Sequence, residues 1–537
     1  MQEYPLTLDM IFRRSESLWG DKTIVTATPG GPERTTMAHW ADRTRRVGGM
    51  LDTLGISGDG RVGTFAWNTA RHLECYFAVP CTGRVLHTLN LRLFPDQLTY
   101  IVNHAEDEAI IVDRSLLGLL WPVVATFETV RHFVVMDDTG PGGPELPDDP
   151  RLVDYEELVA SANPAELRVR DESRAASMCY TSGTTGHPKG VVYSHRSTVL
   201  HSMAAMMTDT LGVSEGDVIL PVVPLFHANG WGLAQAGVMA GSSFVMPGAD
   251  LSPGALVELM ESERVTLAAG VPTIWMGVMD LVEGRDLSSL SRIVCGGSAV
   301  PRALSEGFRT RTGRPLLQAW GMTETHPIAS VCQVRSSRQG ASDDELADLR
   351  ATQGLVAPGV ELRIVEPGTE DELPWDGKAS GELQAVGPWV ARDYYNDPRS
   401  RDSFTSDGWL RTGDVATISP DGYIHLVDRT KDLIKSGGEW ISSVGLENEL
   451  MAHPKVAEAA VIAVPHERWS ERPLACVVPR EGEVLTREEI VEFLTGRVAK
   501  WWIPDEVVFI DEVPKTSTGK FSKKDLRRRF ADHPTQG

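Results

Sequence analysis

Hydrophobic and polar residues alternate along the chain in short blocks that predict an α/β fold. Apolar residues recur at helical spacing over residues 6–19 and 37–54, which predicts two amphipathic helices near the N-terminus. Short apolar runs at 61–66, 109–112 and 132–136 are typical of buried parallel strands. Because helical and strand-like segments follow one another, we expect parallel sheets covered by helices.

The pattern continues in the middle of the chain, where strand-like runs end in turns rich in glycine. The runs 265–269 and 292–295 are followed by GVPT and by GGS. Ligands of α/β sheets gather at the carboxyl ends of strands, so these turns are candidate binding positions. Helix starts are also marked: Ser252 precedes a proline, and Thr486 with Glu489 forms a capping box that predicts a helix to residue 498.

A change of composition near DRTKD, residues 428–432, predicts a boundary between two domains. A chain of 537 residues is too long for one ordinary hydrophobic core. We therefore predict a large domain over residues 1–428, a hinge at 429–432 and a small C-terminal α+β domain at 433–537.

Composition and charge exclude several classes of protein. A hydrophobic fraction of 42% and a charged fraction of 23% are those of a globular protein in solution, and a net charge of −22 argues against a nucleic-acid partner. The six cysteines show neither a C-x-x-C pair nor metal-ligand spacing, which predicts reduced thiols and a cytoplasmic location. We expect no transmembrane segment, since no apolar run approaches the roughly 20 residues that a spanning helix needs.

One loop, YTSGTTGHPKG at residues 180–190, lies between two strand-like runs and carries candidate chemistry. Its glycines let the backbone curl, and its hydroxyl and N–H groups can then surround an anion such as a polyphosphate. A Walker loop is excluded, because Lys189 is followed by Gly190 and a strand-like run instead of Ser or Thr and a helix. A flexible surface hairpin is the alternative on composition alone.

This loop resembles the phosphate loop of the adenylate-forming superfamily, which includes acyl-CoA synthetases, aryl-CoA ligases, peptide-synthetase adenylation domains and luciferases. Further stretches follow in that family's order: QAWGMTE at 318–324, GELQAVGP at 381–388, WLRTGD at 409–414, DRTKDLIKSGGEWIS at 428–442 and PKTSTGK at 514–520. PVVPLFHANGW and IKSGGEWISSV are similar to bacterial medium- and long-chain fatty-acid–CoA ligases. The resemblance implies a large α/β domain with a small β-barrel-like part, and a small mobile C-terminal domain.

The same resemblance implies that ATP activates a carboxylic acid as an acyl-AMP with release of pyrophosphate, and that coenzyme A then takes the acyl group. ATP, Mg²⁺ and CoA are the expected cofactors. Two other second steps stay open, namely transfer to a carrier protein and nitrite activation with diazotisation of an arylamine. A non-catalytic AMP- or acyl-binding regulator is a third possibility, which the presence of Lys520, Glu324 and Asp414 disfavours.

Adenylation brings several negative charges together, so the site needs cations and hydrogen-bond donors. By the resemblance, the catalytic residues are Lys520, Glu324, His227 and Thr184. Glu324 and Thr184 would contact Mg²⁺, Trp320 would stack on adenine, Asp414 would accept the ribose hydroxyls, and Lys520 would bridge the carboxylate and the α-phosphate. The other residues expected to bind ATP or AMP are Thr181, Ser182, Gly183, Thr185, Lys189, Gly296, Gly297, Ser298, Gln318, Ala319, Gly321, Met322, Thr323, Arg429 and Lys435.

Two further sites are expected from the resemblance. The expected hinge residue is Lys431. The residues expected along the CoA tunnel are Gly437, Gly438, Glu439 and Trp440. The resemblance also implies that the protein is a homodimer. His326 and Gln235 are polar where fatty-acid–CoA ligases usually have other residues, which adds a short, aromatic or polar acid as an alternative to a plain fatty chain. The residues expected to border the acid are His227, Gly230, Trp231, Gln235, Gly270, Val271 and His326.

Overall fold

The computed structural model describes residues 1–138, 143–181, 187–398, 400–436, 439–466, 468–516 and 521–531. The strands of this part are β1 (Thr23–Thr26), β2 (Glu33–Thr36), β3 (Arg61–Phe65), β4 (Val85–Thr88), β5 (Asp107–Asp113), β6 (His132–Met136), β7 (Leu152–Asp154), β8 (Ala175–Tyr180), β9 (Gly190–Ser194), β10 (Val218–Pro221), β11 (Ser243–Met246), β12 (Leu267–Gly270), β13 (Arg292–Gly296), β14 (Leu316–Gly321), β15 (Ile328–Val331), β16 (Leu355–Val356), β17 (Glu361–Val365), β18 (Gly381–Val386), β19 (Leu410–Ile418), β20 (Ile424–Arg429), β21 (Ile434–Ser436), β22 (Glu439–Ile441), β23 (Val456–His466), β24 (Ser470–Pro479) and β25 (Glu506–Phe509).

Helices alternate with these strands over most of the chain. They are α1 (Leu8–Leu18), α2 (Met37–Thr53), α3 (Ala70–Cys81), α4 (Pro95–Ala105), α5 (Leu117–Leu120), α6 (Tyr155–Ser161), α7 (His195–Met206), α8 (Leu233–Ala240), α9 (Pro253–Ser262), α10 (Pro272–Met279), α11 (Arg302–Thr312), α12 (Asp343–Arg350), α13 (Ser400–Ser403), α14 (Ser443–Met451), α15 (Arg487–Leu494) and α16 (Lys523–Arg529).

Two large sheets form the N-terminal part of the molecule, and both are mostly parallel. The first has the strand order β7-β6-β5-β3-β4-β8-β9, with only the last pair antiparallel. The second runs β16-β15-β14-β13-β12-β10-β11-β1-β2, and its central strands from β14 to β1 are parallel. The mixed α/β prediction is therefore confirmed, and the apolar runs at 61–66, 109–112 and 132–136 are the buried strands β3, β5 and β6.

Two smaller sheets complete the fold. The expected barrel-like part is an antiparallel sheet in the open order β17-β18-β19-β20, and the small C-terminal sheet contains β21 to β25. At the start of α15, Thr486 and Glu489 form the predicted capping box, but this helix ends at Leu494 and not at residue 498. Ser252 precedes α9 as predicted, although its side chain makes no capping hydrogen bond.

The large and small parts meet between β20 and α14 through buried charges. The backbone N–H of Ser443 donates to Asp428 Oδ2 over 2.6 Å, and the Ser443 hydroxyl donates to the same oxygen over 2.5 Å. Lys523 on α16 donates to Ser443 Oγ over 2.5 Å and lies 2.8 Å from Glu447 Oε1. The carboxylate of Asp428 is thus bonded directly to the C-terminal part of the chain.

Replacing Lys523 by Met should lower the free energy of unfolding by about 3 kcal/mol, because it leaves Glu447 buried without its cation. Lys524→Met is the matched control, since the neighbouring Lys524 is exposed. Urea-induced unfolding followed by tryptophan fluorescence measures both changes. Equal stability of the two variants would show that the buried pair contributes little.

Candidate active site

A cavity of about 580 Å³ lies where β12, β13 and β14 of the second large sheet end, facing β19, β20 and the C-terminal part. Many of the residues predicted to bind nucleotide or acid line it together, although they are widely separated in sequence. Those lining residues are Thr181, Lys189, His227, Trp231, Gly296, Gly297, Ser298, Gln318, Ala319, Trp320, Gly321, Met322, Thr323, Glu324, Asp414, Arg429 and, from the predicted hinge, Lys431.

Asp414 is buried in this cavity and is held from two sides. The indole Nε1 of Trp320 donates to Asp414 Oδ2 over 3.0 Å. Arg429 Nε lies 2.5 Å from Asp414 Oδ1, because Asp414 and Arg429 are directly paired in the β19–β20 ladder. The negative charge of Asp414 raises the pKa of Arg429, so the guanidinium remains charged.

Glu324 is another buried carboxylate that lines the cavity. Tyr394 donates its hydroxyl to Glu324 Oε1 over 2.6 Å. Burial and the adjacent carboxylate raise the pKa of Tyr394, so its hydroxyl stays protonated and acts as the donor. Lys189 Nζ lies 4.2 Å from the centre of the Tyr394 ring and donates to Ser403 Oγ over 3.1 Å. One tyrosine thereby connects the cation of the phosphate loop with the carboxylate of GMTE.

The two ends of the predicted phosphate loop are held together by hydrogen bonding between its flanking strands. The N–H of Thr181 donates to the carbonyl oxygen of Lys189 over 2.9 Å, which continues the antiparallel pairing of β8 and β9. His187 stacks on Tyr100 of α4 with ring centres 4.3 Å apart. The stem and the C-terminal side of the loop are therefore fixed to the first large sheet and to its helix.

His326 does not line the cavity, contrary to its predicted place in the acid pocket. It is buried between Tyr193 and His201, with ring centres 3.7 and 5.0 Å away and rings inclined by 14° in both cases. Tyr193 also donates to the backbone oxygen of Thr323 over 2.6 Å. The stacked rings therefore support the GMTE segment from behind, and His326 acts there as a packing residue.

The segment that carries Trp231 has an uncommon backbone. Residues 228–232 all have positive φ, between 38° and 70°, a region that residues other than glycine rarely adopt. Asn229 anchors this segment, since it accepts from Thr88 over 2.9 Å and donates to Ser177 over 2.5 Å. The backbone thus fixes where Trp231 enters the cavity.

Gly230 and Gly232 have a packing role in this segment. A Cβ at Gly230 would lie 2.6 Å from the Leu225 side chain, and one at Gly232 would lie 2.5 Å from His201. Neither glycine lines the cavity. Both are required by the tight backbone that presents Trp231.

Other predicted residues also lie away from the cavity lining. Gln235 is buried on α8. Gly270 and Val271 do not line the cavity, whereas the next two residues along the chain, Pro272 and Thr273, do. Lys435 and Trp440 face each other on the β21–β22 hairpin, with Lys435 Nζ 5.5 Å from the Trp440 ring centre. The predicted residues outside the described part of the chain are Ser182, Gly183, Thr184, Thr185, Gly437, Gly438 and Lys520, together with the side chain of Glu439.

Sequence reasoning missed three features of the site. Tyr394 lies in none of the quoted motifs, and Asn229 lies within PVVPLFHANGW but was assigned no role; each is recognised only by the carboxylate or hydroxyls that it contacts in space. The third is a cluster of C-terminal residues, Val444, Glu447, Asn448 and Met451 of α14, which reach the cavity from a segment distant in sequence. That these α14 residues lie near the cavity is visible only in the folded structure.

Comparison with known proteins identifies similar sequences over nearly the whole chain. Residues 12–395 match the family described as AMP-binding enzyme, and residues 445–520 match the AMP-binding enzyme C-terminal domain. A long-chain-fatty-acid–CoA ligase of Thermus thermophilus is 47% identical, over 99% of this chain and 97% of the relative. A 3-methylmercaptopropionyl-CoA ligase of Ruegeria lacuscaerulensis is 45% identical, over 99% and 98%.

A solved structure has the same fold. ATP-bound MatB from Rhodopseudomonas palustris superposes with a TM-score of 0.83 at 26% identity, over 98% of this chain and 99% of MatB. Within the described residues, the helices are too short or too polar to cross a membrane.

The buried histidines predict a pH dependence of stability. Burial lowers the pKa of His201 to about 3, whereas the unfolded chain titrates near 6.5. The folded protein therefore binds fewer protons, and its stability should fall as the pH drops below about 6.5. His201→Gln should flatten the decline of Tm between about pH 6.5 and 5, measured by calorimetry. The exposed His39, changed to Gln, should keep the wild-type slope, and equal slopes in all three proteins would contradict the prediction.

Proposed function

Because the chain belongs to the AMP-binding enzyme family, we propose that it activates a carboxylic acid as an acyl adenylate and transfers the acyl group to coenzyme A. The carboxylate attacks the α-phosphate of ATP, pyrophosphate leaves, and the CoA thiol then displaces AMP. The names of the relatives, which are acid–CoA ligases, support this reaction. One structural observation supports it most: Lys189, Glu324, Asp414 and Trp320 line a single cavity.

In this reaction the lining residues have distinct roles. Trp320 stacks on adenine, Asp414 accepts the ribose hydroxyls, and Lys189 with Thr181 holds the outgoing phosphates. Lys520 bridges the attacking carboxylate and the α-phosphate. Thr516 and Phe521, which flank the segment of Lys520, both line the cavity, and this supports the role of that segment.

The residues present also suit Mg²⁺. This ion prefers oxygen ligands and usually takes one or two protein carboxylates, with phosphates and waters completing its shell. Glu324 offers such a carboxylate, buried at the cavity wall and oriented by Tyr394. Glu324 and the Thr184 hydroxyl would hold the ion, which would neutralise charge on the phosphates.

The acid is proposed to lie beside His227 and Trp231, against Thr273 and Met276 of α10, which line the same cavity. The relatives are named for substrates as different as long-chain fatty acids and 3-methylmercaptopropionate. The wall is not purely apolar at His227 and Thr273. The acid panel that tests the reaction should therefore include both long fatty acids and short polar acids.

The second half-reaction is proposed to use a rotated C-terminal domain. We propose a hinge at residues 429–432 between a large domain of residues 1–428 and a small domain of residues 433–537, with Lys431 as the pivot. Gly437, Gly438, Glu439 and Trp440 would then line the path of the pantetheine arm. The short β21–β22 hairpin with its exposed Trp440 suits such a changing surface.

We also propose that the protein is a cytosolic homodimer. The six cysteines are buried and unpaired, which fits a reducing compartment. The dimer rests on the similarity to fatty-acid–CoA ligases. Light scattering at micromolar concentration should give twice the mass of 58.7 kDa, and a monomer mass would contradict it.

Pyrophosphate release tests the proposed reaction. The purified protein is incubated with ATP, Mg²⁺ and a panel of fatty, aromatic and short polar acids, with and without CoA. Acid-dependent pyrophosphate release together with an acyl-CoA product is expected. A parallel assay contains nitrite and an arylamine in place of the acid. Turnover in that assay without CoA would show that the protein is a diazotising enzyme and would contradict the proposed ligase reaction.

Two variants should separate the half-reactions. Lys520→Ala removes a cation from the adenylation step, which should slow acyl-AMP formation by about 10²–10³-fold and largely spare the reaction of pre-made acyl-AMP with CoA. Gly438→Leu should do the reverse, by filling the pantetheine path. Rapid-quench measurement of both steps in both variants gives the answer. Equal loss of both steps in Lys520→Ala would refute this division of roles.

A further inference from the structure

We propose that Trp320 positions the Asp414 carboxylate for recognition of the ribose diol, in addition to offering its ring to adenine. The inference rests on the proposed function, because it concerns nucleotide binding in the same cavity. It assigns Trp320 a hydrogen-bonding role that is independent of stacking. Trp320 is accordingly a positioning residue toward the ribose.

The geometry around Asp414 carries this inference. The carboxylate is almost fully buried, and each of its oxygens has one strong donor: Trp320 Nε1 at 3.0 Å from Oδ2, and Arg429 Nε at 2.5 Å from Oδ1. The Arg429 side chain is 46% exposed, whereas Trp320 is 8% exposed. The indole is therefore the rigid, buried partner, and the arginine is the partner on the solvent side.

The number of acceptor positions matches a diol. An ionised carboxylate has about four lone-pair sites on its two oxygens. Trp320 and Arg429 use one each, which leaves one site on each oxygen. Two vicinal hydroxyl groups can then donate to the two oxygens, provided that the carboxylate plane does not rotate.

Trp320 is well placed to prevent that rotation. Its backbone lies in β14, where it is paired with Ser330 of β15, and its ring packs in the main hydrophobic core. The indole N–H is a donor only, so it cannot compete with the hydroxyl groups by accepting from them. A phenylalanine ring would keep a flat face for adenine but would leave Oδ2 without its fixed donor.

The test compares two nucleotides in equilibrium binding. Kd is measured by calorimetry for ATP and for 2′,3′-dideoxy-ATP, in the wild type and in Trp320→Phe. Stacking on adenine is common to both nucleotides, so it cancels in the ratio of the two Kd values. We expect the wild type to favour ATP by about 100-fold and Trp320→Phe by about 10-fold, as for loss of one hydrogen bond to a charged group.

Control variants isolate the effect. Asp414→Ala should reduce the ratio to about 1, and adding Trp320→Phe to it should change the ratio no further, as expected for two residues that act through one contact. Trp67→Phe removes an indole bond to Ser115 Oγ, 3.0 Å long and outside the cavity, and should leave the ratio unchanged. If Trp320→Phe does not fold, Trp320→Leu gives the same ratio test, because loss of stacking affects both nucleotides equally.

A wild-type ratio that persists in Trp320→Phe or Trp320→Leu overturns the proposal. A wild type that binds both nucleotides equally also overturns it, since Asp414 would then not recognise the diol. These results leave the acid–CoA ligase reaction standing, because pyrophosphate release is measured separately. Absence of acid-dependent pyrophosphate release, by contrast, would contradict the proposed function itself.

Discussion

The burial of Asp414 and Glu324, two of the carboxylates beside one cavity, sets the main physical constraint on this structure. Removing a charge from water is costly unless hydrogen bonds or an opposite charge replace the lost solvent. Asp414 has Trp320 and Arg429, and Glu324 has Tyr394. These partners come from different sheets and loops, so the arrangement forms only when β14, β19, β20 and the segment before α13 are assembled together.

The partners also connect regions with separate tasks. Tyr394 lies under the Lys189 ammonium and donates to Glu324, so the phosphate loop and the GMTE segment share one aromatic ring. Behind that segment, Tyr193 holds the Thr323 carbonyl and stacks on His326. The cavity wall is therefore supported by Tyr193 and His326, which do not line the cavity, as well as by Tyr394, which does.

Much of the fold and of the site could be predicted from the chain alone. The strands β3, β5 and β6 are continuous apolar runs, and motifs as specific as GMTE and RTGD placed Glu324 and Asp414 at one cavity. The positions of His326 and Gln235 could not be predicted, because a polar residue beside a motif can face either the ligand or the core. Tyr394 and Asn229 were missed because their importance lies in contacts between residues 52 to 141 positions apart.

The cavity has walls that differ in how far they can change. At Gly321 an added methyl group would lie 1.7 Å from the Pro327 carbonyl oxygen, and at Gly296 it would lie 2.7 Å from that of Ala319. Because backbone atoms lie this close, neither glycine can be replaced by a larger residue without moving the strand ends. On α10, the half-buried Thr273 and Met276 line the same cavity with side chains instead of strand backbone. Substitutions on α10 can therefore change which acid is bound while the strand ends stay constant. The acid specificity can then change without altering the residues that carry out the reaction.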